Sequence, residues 1–310
     1  MADETLLLIL GAALAFAFGW NNSSYLIGND QGSGALTLSE SLLTSSTGLL
    51  FGVLILGPKM MKSLSGDITP SAGDQVVFVG LVVALLLTVA LSIVKLPVSF
   101  STVVVGGFAG AVFGSALPLN GPRLGEITLF WAVSPIGAAA LAYVLYKVIV
   151  AEMAGRSILG LDRFSRFGVI VTSVIVAFVL GANNIGLIYG TALNGGSPSV
   201  LDPILFTVIA IVGMVVLGRT GVAATVGDRL LDLSPLGVVA TFVSSALLML
   251  LGTELGLPIS IGQCLLGGMV GAAFTKKVTV INRKIAFESV AFWAIGPLAA
   301  FGIAYLLTQV

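Results

Sequence analysis

Residues 19–37 read GWNNSSYLIGNDQGSGALT, and residues 181–196 read GANNIGLIYGTALNGG. Each opens Gly-x-Asn-Asn at the end of an apolar stretch, and the second lies 162 residues after the first. The correspondence extends outward. Leu96-Pro97-Val98-Ser99 returns 161 residues on as Leu257-Pro258-Ile259-Ser260, and Gly106-Gly107, Gly110 and Phe113 keep that spacing at Gly267-Gly268, Gly271 and Phe274. Trp131, Pro135 and Ala142-Tyr143 then recur as Trp293, Pro297 and Ala304-Tyr305. Gly and Leu pair easily by chance in such a composition, but matched Trp, Pro, Tyr and Asn-Asn in one order mark a duplication.

Each copy carries five apolar segments, near 5–20, 38–57, 76–94, 97–117 and 127–149, then 167–189, 203–218, 236–253, 258–274 and 287–308. Their lengths approach the roughly 20 residues that a bilayer-crossing helix needs. The chain of 310 residues is 57% hydrophobic and 9% charged, where a soluble domain averages about 25% charged. The predicted fold is therefore all-α, a polytopic membrane helix bundle. Five crossings per copy is an odd number, so the second copy enters the membrane from the opposite side and the repeats are inverted in topology. The expected division is 1–150 for the first repeat, 151–166 for a cytoplasmic linker and 167–310 for the second repeat. The segments led by Pro97 and Pro258 carry Ser, Thr and Gly, and read equally as interrupted crossing helices or as re-entrant hairpins.

Charge supplies an orientation. Lys95, Lys147, Arg156, Arg163, Arg166, Arg219, Arg229, Lys276, Lys277, Arg283 and Lys284 fall in loops after odd-numbered segments, whereas only Lys59, Lys62 and Arg123 fall on the other face. Positive residues stay inside, which predicts a multi-pass protein of the cell membrane with both termini outside. Met1-Ala2-Asp3-Glu4 runs straight into the first apolar segment without a basic n-region, so that segment is read as a crossing and not as a cleaved signal.

The same composition removes several functions. The 14 basic and 14 acidic residues cancel, leaving no surplus of positive charge for a nucleic-acid backbone. The absence of His removes the commonest general base and nitrogen metal ligand, and the single Cys264 permits no internal disulfide. An enzyme is not expected, because titratable groups do not gather at one depth; no cofactor and no resident metal are expected either.

Two motif pairs carry the remaining polarity. Asn21-Asn22-Ser23-Ser24 is followed by Gly28-Asn29-Asp30-Gln31-Gly32-Ser33-Gly34, read as a polar, Gly-rich break before the second helix. The second copy has Asn183, Asn184, Gly186, Tyr189, Gly190, Thr191 and Asn194-Gly195-Gly196. Interrupted helices expose N–H groups that suit an anion and carbonyls that suit a cation; alternatively these side chains bond neighbouring helices. Pro97-Val98-Ser99-Phe100-Ser101-Thr102 and Pro258-Ile259-Ser260-Ile261-Gly262-Gln263 form the other pair. Pro sets a helix or hairpin start, and the hydroxyls and amide after it are placed to hold an oxyanion or to bond back within the helix. Lys95 and Arg123 read as snorkelling residues, Asp202 and Glu254 as segment boundaries, and Trp20, Trp131 and Trp293 as interfacial or packing aromatics.

Residues 19–37 resemble the signature GANDVANAFGTSVGS-x-ALT of the inorganic phosphate transporter (PiT) family. Gly19, Asn21, Gly28, Gly32, Ser33, Ala35, Leu36 and Thr37 match in register, Gly181-Ala182-Asn183, Gly190 and Thr191 match a second copy, and the Pro-led segments resemble the family's PVSTTH. The resemblance spans nearly the whole chain and implies a secondary transporter of inorganic phosphate, or of sulfate as in one branch, with substrate and coupling ion held between the repeats. The departures are specific. The acidic position of the signature is Asn22 in one copy and Asn184 in the other, its second Asn is Tyr25 and Leu187, and Thr-Thr-His becomes Phe100-Ser101-Thr102 and Ile261-Gly262-Gln263. Two fewer carboxylates favour a dianion and disfavour cations at that depth.

The expected anion site comprises Asn22, Ser99, Ser101, Thr102, Asn184, Ser260 and Gln263. Asn21, Asn183, Asp30 and Thr191 are candidates for a coupling Na+ or H+, with Asp30 equally readable as an exposed loop residue. The expected partners are phosphate or sulfate and the lipid bilayer. A homo-oligomer and a passive anion channel both remain open on sequence.

Overall fold

The computed structural model describes residues 4–64, 66–69, 72–94, 99–196, 199–217, 233–275 and 283–310. Among them are ten principal helices, in step with the ten apolar segments. These are α1 (Glu4–Gly32), α2 (Leu38–Ile55), α3 (Asp74–Ile93), α4 (Phe100–Gly114), α5 (Gly121–Met153), α6 (Ile158–Leu193), α7 (Leu201–Leu217), α8 (Pro235–Glu254), α9 (Ile261–Ala273) and α10 (Arg283–Leu307). Seven of them are long and apolar enough to cross a membrane; α4, α7 and α9 are shorter. Only 17% of the most apolar stretch of α5 is buried, against 67% for α8, so α5 is peripheral and α8 central.

Local signals set the ends. Thr37 caps α2 in a reciprocal box with Glu40, Ser157 caps α6 through Gly160 N, and Ser234 caps α8 through Gly237 N with Pro235 following. Because α5 ends at Met153 and α6 begins at Ile158, most of 151–166, read as a linker, is helical.

The break expected at residues 28–34 comes later, at 33–37. Helix α1 continues for 29 residues to Gly32, because its polar side chains bond back to its own carbonyls. Asn22 donates to Phe18 O, Ser23 to Trp20 O and Asn29 to Tyr25 O. Self-satisfied side chains need no unwinding. In α6 the equivalent residues Gly181–Ile185 form a π turn, after which the helix resumes to Leu193 and ends at left-handed Asn194.

Helices α4 and α9 hold 15 and 13 residues, about 20 Å each and short of the roughly 30 Å hydrocarbon core. After Glu254 the chain turns inward as an extended segment, and Trp131, ten residues into α5, donates Nε1–H to Pro258 O at 2.7 Å. From there α9 runs onward along α5, with Gly267 against Pro135 and Gly271 against Ala139. The extended lead-in and α9 thus run together alongside α5 as one partly helical segment. Helix α4 follows α10 in the same way, with Gly106 against Pro297 and Gly110 against Phe301. A Cβ at Gly106 would lie 2.4 Å from Pro297 O, and one at Gly267 would lie 2.1 Å from Pro135 O. The duplicated glycines are thus the crossing points at which one half touches the other. Gly19 against Ala210 and Gly181 against Leu49 repeat the pattern between α1 and α7 and between α6 and α2.

The prolines do not begin these helices. Ser260, two residues after Pro258, is the N-cap of α9, and Ser99 that of α4. In the lead-in to α9, Pro258 instead keeps the chain extended, since proline disfavours helical backbone at the residue before it. Pro97 and Lys95 lie outside the described residues, as do Arg219, Arg229, Lys276 and Lys277 of the charge pattern.

Candidate functional site

The middle of α1 meets the beginnings of both half-length helices. Phe18 packs edge-on against Phe100 at the start of α4, with ring centroids 5.0 Å apart, and Tyr25 lies against Gly262 at the start of α9. Those two positions are seven residues apart, about 10 Å of helical rise. Two helix N-termini, each with N–H groups lacking intrahelical acceptors, therefore approach one segment of α1. Asn22 lies on α1 between the two contacts.

All seven expected anion-site residues are enclosed, none more than 3% exposed. Ser260 Oγ accepts from Gln263 N at 3.2 Å, and Thr102 Oγ1 donates to Ser99 O at 2.9 Å. Both bonds shape the first turn of a half-length helix. Other polar atoms there have no partner in the protein: Ser99 Oγ, Ser101 Oγ, Asn184 Nδ2 and Gln263 Oε1. Buried polar groups are nearly always bonded, so these four atoms make the region a candidate for holding a polar occupant. Among the described residues no Lys or Arg is buried; the donors available are hydroxyls, amides and backbone N–H groups. Such donors, preorganised in a dry site, suit a small oxyanion.

The coupling-ion candidates do not assemble into one site. Asn183 is a structural clip. Its Nδ2 donates to Thr253 Oγ1 at 2.9 Å and to Leu257 O at 3.0 Å, and its Oδ1 accepts from Ile259 N at 3.0 Å. One side chain on the π turn thus holds the extended lead-in of α9. Asn21 donates to Ser92 Oγ at 3.0 Å, at the corresponding end of α3. Thr191 bonds back to Leu187 O and lies eight residues past Asn183, about 12 Å along the helix. Asp30 is neither in a loop nor exposed: it is 0% accessible within α1, and Ser173 donates to its Oδ1 at 2.6 Å. It escaped recognition as a buried residue because Gly and Gln around it suggested a loop, whereas the helix runs on past it.

Three residues acquire roles that the sequence reading missed. Trp131, read as an interfacial or packing aromatic, packs against the core and in addition pins Pro258 O from within α5. Ser173 carries no motif and is found only through its contact with Asp30. Arg123 does not snorkel, because it donates to Asp67 Oδ2, Glu126 Oε2 and the carbonyls of Leu255 and Gly256, tying the end of α8 to α5. Lys59 pairs with Glu254 beside it.

Comparison with known proteins bears on this geometry. The sequence profile of the Phosphate transporter family matches residues 18–159 and again 159–304. A relative from Methanocaldococcus jannaschii named "Putative phosphate permease" is 27% identical over 305 residues, covering 97% of this chain and 96% of its own. The sulfate permease CysP of Bacillus subtilis is 24% identical, covering 99% of this chain and 87% of its own. A solved structure titled as the sodium-dependent phosphate transporter superposes with a TM-score of 0.82 at 19% identity, over 100% of each chain. That likeness concerns the fold.

Proposed function

The chain belongs to the phosphate transporter family, and from that premise we propose that it is a secondary transporter carrying inorganic phosphate across the cell membrane. The observation that carries this reading is the convergence of two short helix starts on α1, where the buried Ser99 Oγ, Ser101 Oγ and Gln263 Oε1 are left unpartnered, with Asn184 Nδ2 likewise on the π turn of α6. Asn22, Ser99, Ser101 and Thr102 contribute from one half, and Asn184, Ser260 and Gln263 from the other. The anion is held by donors without a basic side chain, and transport is a symport with a coupling cation that offsets its charge.

Alternating access of two inverted repeats is the proposed mechanism. Support comes from the reciprocal contacts: α4 of the first half lies along α10 of the second, and α9 of the second along α5 of the first. Rocking of one such pair against the other exposes the centre to each side in turn. The proposed orientation has both termini outside, with the α5–α6 connection cytoplasmic, following the positive charge of that connection.

Sulfate is the second substrate reading, favoured by similarity to the sulfate permease of Bacillus subtilis and by Asn at both positions where the family signature is acidic. Uptake by purified protein in liposomes, with labelled phosphate and sulfate in competition, distinguishes the two. Saturable accumulation against a gradient is expected; flux that only dissipates a gradient indicates a channel. Orientation is checked by placing Cys at Arg163 in a C264A background, where a membrane-impermeant reagent applied to intact cells should leave it unmodified.

A further inference from the structure

Among the described residues Asp30 is the only buried Asp, Glu, Lys or Arg. The anion site does not use it. It lies eight residues past Asn22, about 12 Å along α1, towards the rim where Arg166 meets Glu40. Ser173 of α6 donates to its Oδ1, while Ser41 of α2, its other near neighbour, is turned to Thr37 O. Its Oδ2 accepts no hydrogen bond. Ser45, one turn beyond Ser41 on α2, is also buried with an unpartnered hydroxyl. A fully enclosed carboxyl group thus sits among hydroxyl-bearing helices with one oxygen open.

The charged and titratable groups on the surrounding elements are all otherwise placed. Arg166 is bound to Glu40 and to Ala35 O. Asp162 and Arg163 are exposed farther out on α6, and Tyr25 of α1 rests against Gly262. Among the described residues no cation neutralises Asp30, and an enclosed charge without a partner is costly. Sodium sites in transporters draw on carbonyls freed where a helix unwinds, but α1 is continuous through Asp30. A proton needs only one lone pair, which Oδ2 has. The route to water is short, since Gln31 and Gly32 at the end of α1 are exposed.

We propose that Asp30 is the carrier of the coupling proton, which makes this transporter a proton symporter; the proposal rests on the transport reading above. A proton that enters from the outer side with the anion, through the outward-open centre, forms an O–H bond at Oδ2, and that bond breaks to cytoplasmic water at the rim after the anion leaves. The neutral acid lets an oxyanion pass from the helix starts towards the rim, whereas the carboxylate would repel it strongly in a low-dielectric interior. Proton and anion therefore travel together, although Asn22 and Asn184 hold no titratable group.

The test uses the full chain in liposomes with labelled phosphate or sulfate and a pH-sensitive dye inside. An inward proton gradient should drive accumulation, with anion uptake acidifying the lumen, and a sodium gradient should add nothing. D30N should lower gradient-driven accumulation at least about tenfold yet still exchange external for internal anion at equal pH. D30E should restore proton-driven accumulation, and S173A should displace the pH dependence of uptake. Sodium-driven accumulation, proton-driven accumulation by D30N, or loss of exchange together with accumulation in D30N overturns the proposal and leaves transport standing. Absence of exchange for both anions in the unsubstituted protein retires the transport reading and the proposal with it. Should D30N fail to fold, D30E and S173A decide: pH dependence unchanged in both overturns the assignment.

Discussion

Helices α1 and α6 begin from the same motif and end as different objects. In both, the first Asn of Gly-x-Asn-Asn bonds the end of the third helix of its own half, Asn21 reaching Ser92 and Asn183 reaching Thr253. Beyond that Asn the two diverge. Helix α1 stays regular and Asn22 turns back to Phe18 O, whereas α6 opens into a π turn with Asn184 Nδ2 unpartnered. Eight residues past Asn22 stands Asp30; the corresponding position in α6 is Ala192, apolar and fully buried. Duplication preserved the bond from this Asn to the end of the third helix and left the neighbouring positions free to differ in chemistry. π turns recur at functional sites, and this one carries the second expected contact to the anion.

The comparison is broken most severely at the clip. N183A removes one donor pair and one acceptor, stranding Leu257 O and Ile259 N in the interior. The expected loss is about 3 kcal/mol or more in thermal or denaturant unfolding in detergent, from about 1–3 kcal/mol per stranded buried group. An N183A protein as stable as the parent would show that the lead-in to α9 is held elsewhere. Next come the paired crossing points. G106A and G267A each press a Cβ onto a carbonyl of the opposite half, and each should cost about 1–3 kcal/mol. Costs that differ by more than that range would mean the two interfaces are not equivalent.

The Asn pair is expected to respond unequally. N184D replaces an amide whose donor is unspent, so anion KM should rise about tenfold, some 1.4 kcal/mol. N22D replaces one already bonded to Phe18 O and should raise it less. Equal shifts, read from uptake kinetics, would erase the distinction drawn between α1 and α6. The smallest effect is expected from W131F, which loses one hydrogen bond to Pro258 O while keeping most of the ring packing. About 1 kcal/mol of stability should go, with transport reduced and not abolished.

Much of the fold was legible from residue order. Ten apolar segments and the duplication, recurring glycines included, follow from composition and spacing, because hydrocarbon thickness sets helix length; which of those glycines touch the opposite half was settled by packing. The candidate anion residues were legible too, as the polar positions that recur. Their division of labour was not. Asn21 and Asn183 looked like ligands because polar groups in an apolar run need partners; which partners they have depends on the ends of α3 and α8, some 70 residues away. Asp30 looked like a loop residue because Gly28, Gly32 and Gly34 surround it, yet packing against α2 and α6 carries the helix through to Gly32.

The sequence by itself determined a membrane-embedded, all-helical, duplicated chain with the motifs of an anion transporter family. Hydropathy, turn residues and internal repetition are local properties that survive without knowledge of neighbours. Only the tertiary structure decided that the helices after the Pro-led segments are short, that their starts meet at α1, and that one carboxyl group is sealed among hydroxyls of α2 and α6. Those outcomes depend on which helices touch. In a bundle where almost every surface is apolar, the touching faces are chosen by small residues and by the few polar groups that must find each other.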